Sequence, residues 1–435
     1  MADCLCLGLS IDKVFTILKS IYFIVKILWI KTSPLHPLTR AGDLRTFHLL
    51  RHLHQNHEVT FVGMTADPGQ VEGAQRSNEY SSCSLWTYEP KASLKLARWK
   101  FLLGALANLF SRLPYAVARF RSASLRRLLV ETLKRESFDI IVSDFLFPAA
   151  SMPWEMKDGT QTPWVLFQHN VESMIWRRRA EGLTGVIGMY WKRQRDRMWR
   201  FESQISSRFD GVLAVSDEDS RIFREEMRLS NVIGVVPTGV DLDYFQALPK
   251  APFPTPTVLF MGSMDWYANV DAVLYFVSDI WPKVRERLPE ATFLIVGRQP
   301  PSEILALHST DMGVEVTGTV PDVRPYMRKA HLMVVPLRIG GGTRLKIYEA
   351  MAAELPVVST TVGAEGLPVV HGKHLLIADD SASIANEVIR VLLSPDLAGS
   401  LSQNAFQEVV QFMSWKSAAS VFESSCQGLL KEATL

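Results

Sequence analysis

The sequence predicts an α/β protein of two domains, each a parallel sheet covered by helices, facing one another across a cleft. Three observations carry this expectation. The chain has 435 residues, more than the roughly 250–300 at which a single hydrophobic core stops growing. Short apolar strand candidates alternate with longer helical stretches along its whole length, the pattern of parallel α/β architecture. A Pro-rich stretch, LPKAPFPTPT (248–257), divides two such series, and Pro there blocks regular structure and marks a linker.

The elements follow in order. Residues 14–30 are apolar, but Lys19 and Lys26 interrupt the run, and Asp3 and Asp12 stand where a signal peptide would carry positive charge. Residues 1–25 read as an extension, either a membrane-seeking helix or a disordered leader, and KILWIK as the first strand. Strands are expected at 26–30, 59–62, 140–143, 164–167 and 211–214 in a first domain spanning 26–247. After the linker they are expected at 258–262, 292–297, 314–318, 331–337 and 356–360 in a second domain spanning 258–412. A C-terminal helix, about 413–435, is expected to rejoin the first domain. Several strands end in Gly or a charged residue before the next helix, and ligands of open α/β sheets sit in the crevice beyond those carboxyl ends.

Composition narrows the function. Apolar residues make up 47% and charged ones 21%, ordinary for a globular chain and unlike a disordered or fibrous one. A formal charge of +2 argues against a dedicated nucleic-acid binder. Cys4, Cys6, Cys83 and Cys426 form neither a disulfide framework nor a zinc motif, and read as reduced thiols in a cytoplasmic protein. The small net charge is a cancellation. Residues 1–250 hold 33 basic and 26 acidic side chains, residues 251–435 hold 14 and 19, and residues 91–200 alone hold 20 and 9.

The most informative segment runs from 338 to 367, RIGGGTRLKIYEAMAAELPVVSTTVGAEGL. A strand ends at Leu337, then Gly340, Gly341 and Gly342 precede a helix expected from about Thr343 through Ala353. Glycines let backbone N–H groups approach an anion, and a helix N-terminus adds about half an elementary charge. Arg344 and Lys346 flank that point and offer full charges to a diphosphate. Glu349, further along the helix, is placed to accept hydrogen bonds from sugar hydroxyls. By spacing alone, a plain glycine loop with surface charges remains the alternative. No Walker A spacing is present.

GGGTRLKIYEAMA followed by PVVSTTVGAEGL resembles the donor-binding region of family 4 glycosyltransferases, retaining enzymes with the GT-B fold of two Rossmann-like domains. The first strand, loop and helix near 26–53, FDIIVSDF (138–145), VLFQHNVESMIWRRR (165–179), FDGVLAVSDED (209–219), VVPTGVDLDYF (235–245) and FMGSMDWYANVDAV (260–273) are similar in the same order. The likeness covers roughly residues 26–390 and is nearest to bacterial sugar transferases of exopolysaccharide and related surface-glycan assembly. It implies that Glu349 binds the ribose of a nucleotide and that the backbone of 343–345, including Leu345, binds the diphosphate. Gly262 and, near the nucleobase, Arg298 fall on the donor side. Many relatives carry a second glutamate where this chain has Gly341. Many also place Arg and Lys in the loop that here reads Ser263, Met264, Asp265 and Trp266. Leaving-group stabilisation is therefore expected to rest on Arg344 and Lys346.

His169 follows the apolar strand WVLFQ. By residue type it is either a backbone cap or a cleft residue; the resemblance implies contact with the transferred sugar, in a positioning and electrostatic role. Gly42, before the helix LRTFHLLRHL, either lets backbone N–H groups approach the diphosphate or acceptor or belongs to an ordinary helix start with Asp43 and Arg45. Asp144, after strand IIVS, is a further cleft candidate.

Residues 91–135 place Lys91, Lys95 and Arg98 on one helical face among Leu, Trp and Phe, with further cations in RFRSASLRRLLVETLKR (119–135) and WRRR (176–179). This reads either as a surface for an anionic bilayer, at about 1 kcal/mol per nearby cation, or as a buried helix with solvated charges. The expected activity is transfer of a sugar from a nucleotide-diphosphate-sugar to a glycan or lipid-linked acceptor, without metal or resident cofactor. It is placed in the cytoplasm, either free or peripheral on the inner face of the plasma membrane. A nucleotide-sugar epimerase and a non-catalytic scaffold are the alternatives.

Overall fold

The structure, a computed structural model, describes residues 24–38, 41–66, 76–89, 104, 108, 111–180, 184–246, 255–264, 266–339 and 345–432. The extension to residue 23, the segment carrying Lys91, Lys95 and Arg98, Asp265, and Gly340, Gly341, Gly342, Thr343 and Arg344 lie outside the described residues. The chain forms two compact units, residues 1–236 with 419–435, and residues 237–418. The division lies between Val236 and Pro237, upstream of the Pro-rich stretch at 248–257, and the chain returns to the first unit at Ala419 rather than near 413. The short helix Leu242–Gln246 accordingly belongs to the second unit.

The first unit is built on β1 (Lys26–Lys31), β2 (Glu58–Thr65), β3 (Cys83–Tyr88), β4 (Ile140–Asp144), β5 (Trp164–Phe167), β6 (Gly211–Ala214) and β7 (Val232–Val235). They lie in the order β3-β2-β1-β4-β5-β6-β7, and every pair is parallel. Parallel strands covered on both faces read as continuous apolar runs, and β4, β5 and β6 are buried at every position. The helices used below are α1 (Ala41–Leu53), α2 (Ala123–Arg135), α3 (Glu172–Ala180) and α4 (Gly185–Ser206). Ser122 caps α2 by accepting from the Leu125 N–H, and Leu125 and Leu129, four apart, anchor its inner face. Trp29 fills the centre of the core, with ring centroids 6.0 Å from Phe167 and 5.5 Å from Phe422.

The second unit carries β8 (Thr257–Met261), β9 (Thr292–Val296), β10 (Val314–Gly318), β11 (Leu332–Val335), β12 (Val357–Ser359) and β13 (Leu376–Ile377). Their order is β10-β9-β8-β11-β12-β13, again parallel throughout. Helix α5 (Tyr267–Tyr275) follows β8, and α6 (Leu345–Ala352) follows β11. Helix α7 (Trp415–Glu432) begins in the second unit and ends in the first. Phe276, Trp281 and Phe293 stack at 4.5–6.0 Å to fill the core.

In each sheet the strand order reverses next to one central strand, between β1 and β4 and between β8 and β11. Such a switch point leaves a crevice at the strand carboxyl ends. One glycine there is steric necessity: a Cβ on Gly297, after β9, would lie 1.9 Å from the Gly262 carbonyl oxygen. Gly297→Ala is expected to cost about 1–3 kcal/mol by overpacking, seen as a lower urea midpoint for the second unit. It also pushes the loop after β8 out of place.

Candidate active site

In the first unit the switch point gathers side chains from the ends of three strands and the start of α1. Lys31 closes β1, Asp144 closes β4, and His169 lies just past β5. Asp144 is fully buried, and its Oδ2 accepts from Trp29 Nε1 at 2.9 Å, Lys31 Nζ at 3.1 Å and Thr46 Oγ1 at 2.6 Å. Lys31 also donates to Thr46 Oγ1 at 2.9 Å and lies 3.8 Å from Asp43. Burial pushes the Asp144 carboxyl up, but the Lys31 charge, His169 and the bond from Thr46 outweigh it and hold it well below the usual carboxylate range.

His169 Nε2 lies 2.8 Å from Asp144 Oδ1, close but out of line for a straight hydrogen bond. Burial, with Arg45 and Lys31 nearby, pushes the imidazole down to about 3 against the pull of Asp144. The ring is therefore neutral at physiological pH. The adjacent carboxylate, which can only accept, assigns the hydrogen to Nε2 and leaves Nδ1 as an acceptor. Phe145 stacks over His169 with ring centroids 4.1 Å apart, and its backbone takes φ +74°, a left-handed conformation that costs a non-glycine residue energy and clusters at functional sites. A Cβ on Gly42 would lie 3.1 Å from Phe145 and 3.5 Å from His169 Nδ1. Gly42, Asp144 and His169 thus meet at one place, as sequence spacing alone does not show.

The loop bearing His169 is held from behind by α4. Glu202, fully buried, accepts from Gln168 Nε2 at 3.1 Å and from the backbone N–H groups of Glu172 and Ser173, both at 2.9 Å. Burial, then the Glu202 charge, pushes Glu172 up to about 8. Burial pushes Glu202 up to about 7, opposed by the hydrogen bonds it accepts from Ser173 and Glu172. A carboxyl raised on folding binds more protons folded than unfolded, so its contribution to stability is present below the unfolded value, near 4.5, and is lost as pH rises towards 7–8. Glu172→Gln is expected to flatten the fall in urea-unfolding free energy between pH 5 and pH 8.

The second unit repeats the arrangement with different chemistry. Gly262 follows β8, and Lys346 and Glu349 lie one turn apart on α6, after β11. Lys346 Nζ donates to Asn269 Oδ1 at 2.8 Å and stands 4.5 Å over the Phe260 ring centroid. A Cβ on Gly262 would lie 2.9 Å from that same Nζ, so the ammonium sits over the backbone at the end of β8. Burial of the Glu349 carboxyl pushes it up to about 6, opposed by Lys346. Arg298, after β9, donates from Nε to Ser263 Oγ at 2.6 Å. Leu345 is the first described residue of α6; Gly341, Gly342, Thr343 and Arg344, and with them the helix start expected at Thr343, fall outside the described residues. Sequence reading missed Trp29, Lys31, Thr46, Phe145, Asn269 and Glu202.

Comparison with known proteins agrees with this layout. A model described as Glycosyltransferase Family 4 matches residues 44–244, and one described as Glycosyl transferases group 1 matches residues 255–394. An uncharacterized 44.6 kDa protein in the cps region of Klebsiella pneumoniae is 24% identical over 39% of this chain and 45% of its own. A putative teichuronic acid biosynthesis glycosyltransferase of Bacillus subtilis is 26% identical over 60% of this chain and 63% of its own. A phosphatidyl-myo-inositol mannosyltransferase of Mycobacterium tuberculosis is 31% identical over 42% and 50%. The chain thus spans about half to under two thirds of these relatives' own length. Among solved structures, sucrose-phosphate synthase from Thermosynechococcus elongatus superposes with a TM-score of 0.67 at 17% identity, covering 94% of this chain and 99% of that one. Anabaena Alr3699/HepE, solved with UDP and glucose, superposes at 0.63 and 15%, covering 93% and 100%. With glycosyltransferase models matching residues 44–244 and 255–394 and the superpositions covering 93–94% of its length, the chain belongs to glycosyltransferase family 4, with the GT-B fold.

Proposed function

We propose that the protein transfers a sugar from a nucleoside-diphosphate sugar to a hydroxyl of a glycan or lipid-linked acceptor, with retention at the anomeric carbon, during assembly of a bacterial surface polysaccharide. The observation that carries this reading is the Lys346 ammonium set over Gly262 at the switch point of the second sheet, with Glu349 one turn further along the same helix. An anion seated there meets a fixed cation, and Glu349 offers an acceptor to ribose hydroxyls. The cps-region and teichuronic acid relatives favour a surface-polysaccharide role, and the UDP-bound neighbour favours a nucleotide donor.

In this scheme the bond from the anomeric carbon to the diphosphate breaks as the acceptor oxygen attacks on the same face, through a short-lived oxocarbenium-like ion. Lys346, with Arg344 and the backbone of 343–345, stabilises the charge that develops on the leaving diphosphate, so no divalent metal is needed. His169 supports the sugar as a neutral hydrogen-bond acceptor through Nδ1. The acceptor's proton passes to the departing phosphate oxygen. Docking of the basic region 91–135 on an anionic membrane would bring a lipid-linked acceptor within reach. Among the described residues, no helix is long and apolar enough to cross a membrane. On the described part of that region, Arg127, Lys134 and Arg135 are exposed along α2.

The test is a panel of UDP-, GDP- and dTDP-sugars. A true donor stabilises the fold by mass action, by about 2.7 kcal/mol at a hundred times its Kd, which raises the melting temperature, and releases nucleoside diphosphate when glycan or lipid-linked acceptor is added. Epimerised donor without acceptor product, or no response to any nucleotide, overturns the reading.

A further inference from the structure

We infer that Asn269 is the positioning residue that holds Lys346 over the end of β8 through a neutral contact that adds no counter-charge against the diphosphate. The inference rests on the donor-site reading of the second unit. Asn269 is 8% exposed, in the first turn of α5, and bridges two fixed points. Its Oδ1 accepts from Lys346 Nζ at 2.8 Å, and its Nδ2 donates to the Ser263 carbonyl oxygen at 2.7 Å. The orientation of the amide is not ambiguous, because an ammonium only donates and a carbonyl only accepts. Among neutral side chains of this length, only an amide satisfies both neighbours.

The chemistry explains why an amide stands where aspartate would be the obvious partner of a lysine. Aspartate has no hydrogen for the Ser263 carbonyl, so two acceptors would face each other at about the present 2.7 Å. It would also neutralise the ammonium. Asn269 and the Phe260 ring, 4.5 Å beneath Nζ, both hold a cation without cancelling its charge. Gly262 completes the arrangement, since any side chain there would occupy the space of both Nζ and the Asn269 amide. The loop after β8 carries no basic residue between Gly262 and Trp266. Asn269 lets it borrow one from α6.

The test is a double-mutant cycle read by calorimetric binding of UDP, GDP and dTDP to the full chain. Asn269→Asp is expected to weaken binding of the preferred nucleoside diphosphate about tenfold, equivalent to about 1.4 kcal/mol. In a Lys346→Met background the same change is expected to weaken it less than about twofold, because the cation it acts through is gone. Asn269→Ala, which removes both hydrogen bonds without adding charge, runs the same cycle should the aspartate variant not fold. If wild type binds a nucleoside diphosphate and Asn269→Asp binds it equally well, or loses equally in both backgrounds, the inference is overturned alone. If wild type binds none of the three, the inference falls together with the donor reading.

Discussion

Lys346→Met is expected to lower kcat/KM for sugar transfer by about 10²–10³, the scale of losing one preorganised donor to developing negative charge. The methionine keeps the length and apolar stem of the lysine and removes the ammonium that stands over Gly262 and the Phe260 ring. Because charge on the diphosphate grows as its bond to the sugar breaks, most of the loss is expected in kcat, with a smaller rise in KM. The fold is expected to survive, since Lys346 is only half-buried and Ile347, Tyr348, Ala350 and Met351 provide the packing of α6. Steady-state release of nucleoside diphosphate, measured beside a melting curve, separates lost chemistry from lost structure. A variant with near wild-type turnover would take the leaving-group role away from Lys346.

Asp144→Ala carries the largest expected cost in stability, about 3–5 kcal/mol, because removing one partner of a buried pair takes from the other its nearest counter-charge. The group left behind is Lys31, whose side chain is 3% exposed and which is left with Asp43 at 3.8 Å; the indole of Trp29 loses its acceptor, and the Thr46 hydroxyl turns wholly to the Gly42 carbonyl oxygen at 2.9 Å. The carboxyl's folded pKa lies below its unfolded value, so its stabilisation is present above about pH 4 and is lost as pH falls below it. Urea unfolding followed by tryptophan fluorescence reports the change directly, since Trp29 touches the lost oxygen. The double variant Asp144→Ala, Lys31→Met is expected to recover part of the loss by removing the ammonium left behind. If the double variant is less stable than Asp144→Ala, the pair is not what the carboxylate serves.

The strands were legible where burial on both faces leaves an apolar run, as in VLFMG and TFLIVG, because composition there mirrors packing. β3 was not, since CSLWTY is an edge strand only partly buried along its length and its sequence does not read as core. β7 was missed as an edge strand, only partly buried and interrupted by Gly234, and β13 for brevity, since two residues give no period to detect. In the sites, Gly42, His169, Lys346 and Glu349 stood out by motif. Their supports did not, because Lys31 and Trp29 sit in an apolar strand and Thr46 and Glu202 in helices, where residue type says nothing of a partner 29 to 115 residues away. Asn269 reads as an ordinary early-helix amide until Lys346 is seen to reach it. The signal present in the sequence was negative, a cation-free loop after β8.

The Lys31–Asp144 pair also sets an order of events during synthesis. Its members are 113 residues apart in the chain. At about 5–20 residues per second, the lysine leaves the ribosome several seconds or more before its carboxylate is made. Through that interval Lys31 has, among the described residues, only Asp43 of the adjoining α1 as an ion-pair partner. The central strand of the first sheet therefore cannot settle into its final dry surroundings until β4 arrives. A nascent chain arrested before Asp144 is one on which a chaperone should find β1 still accessible.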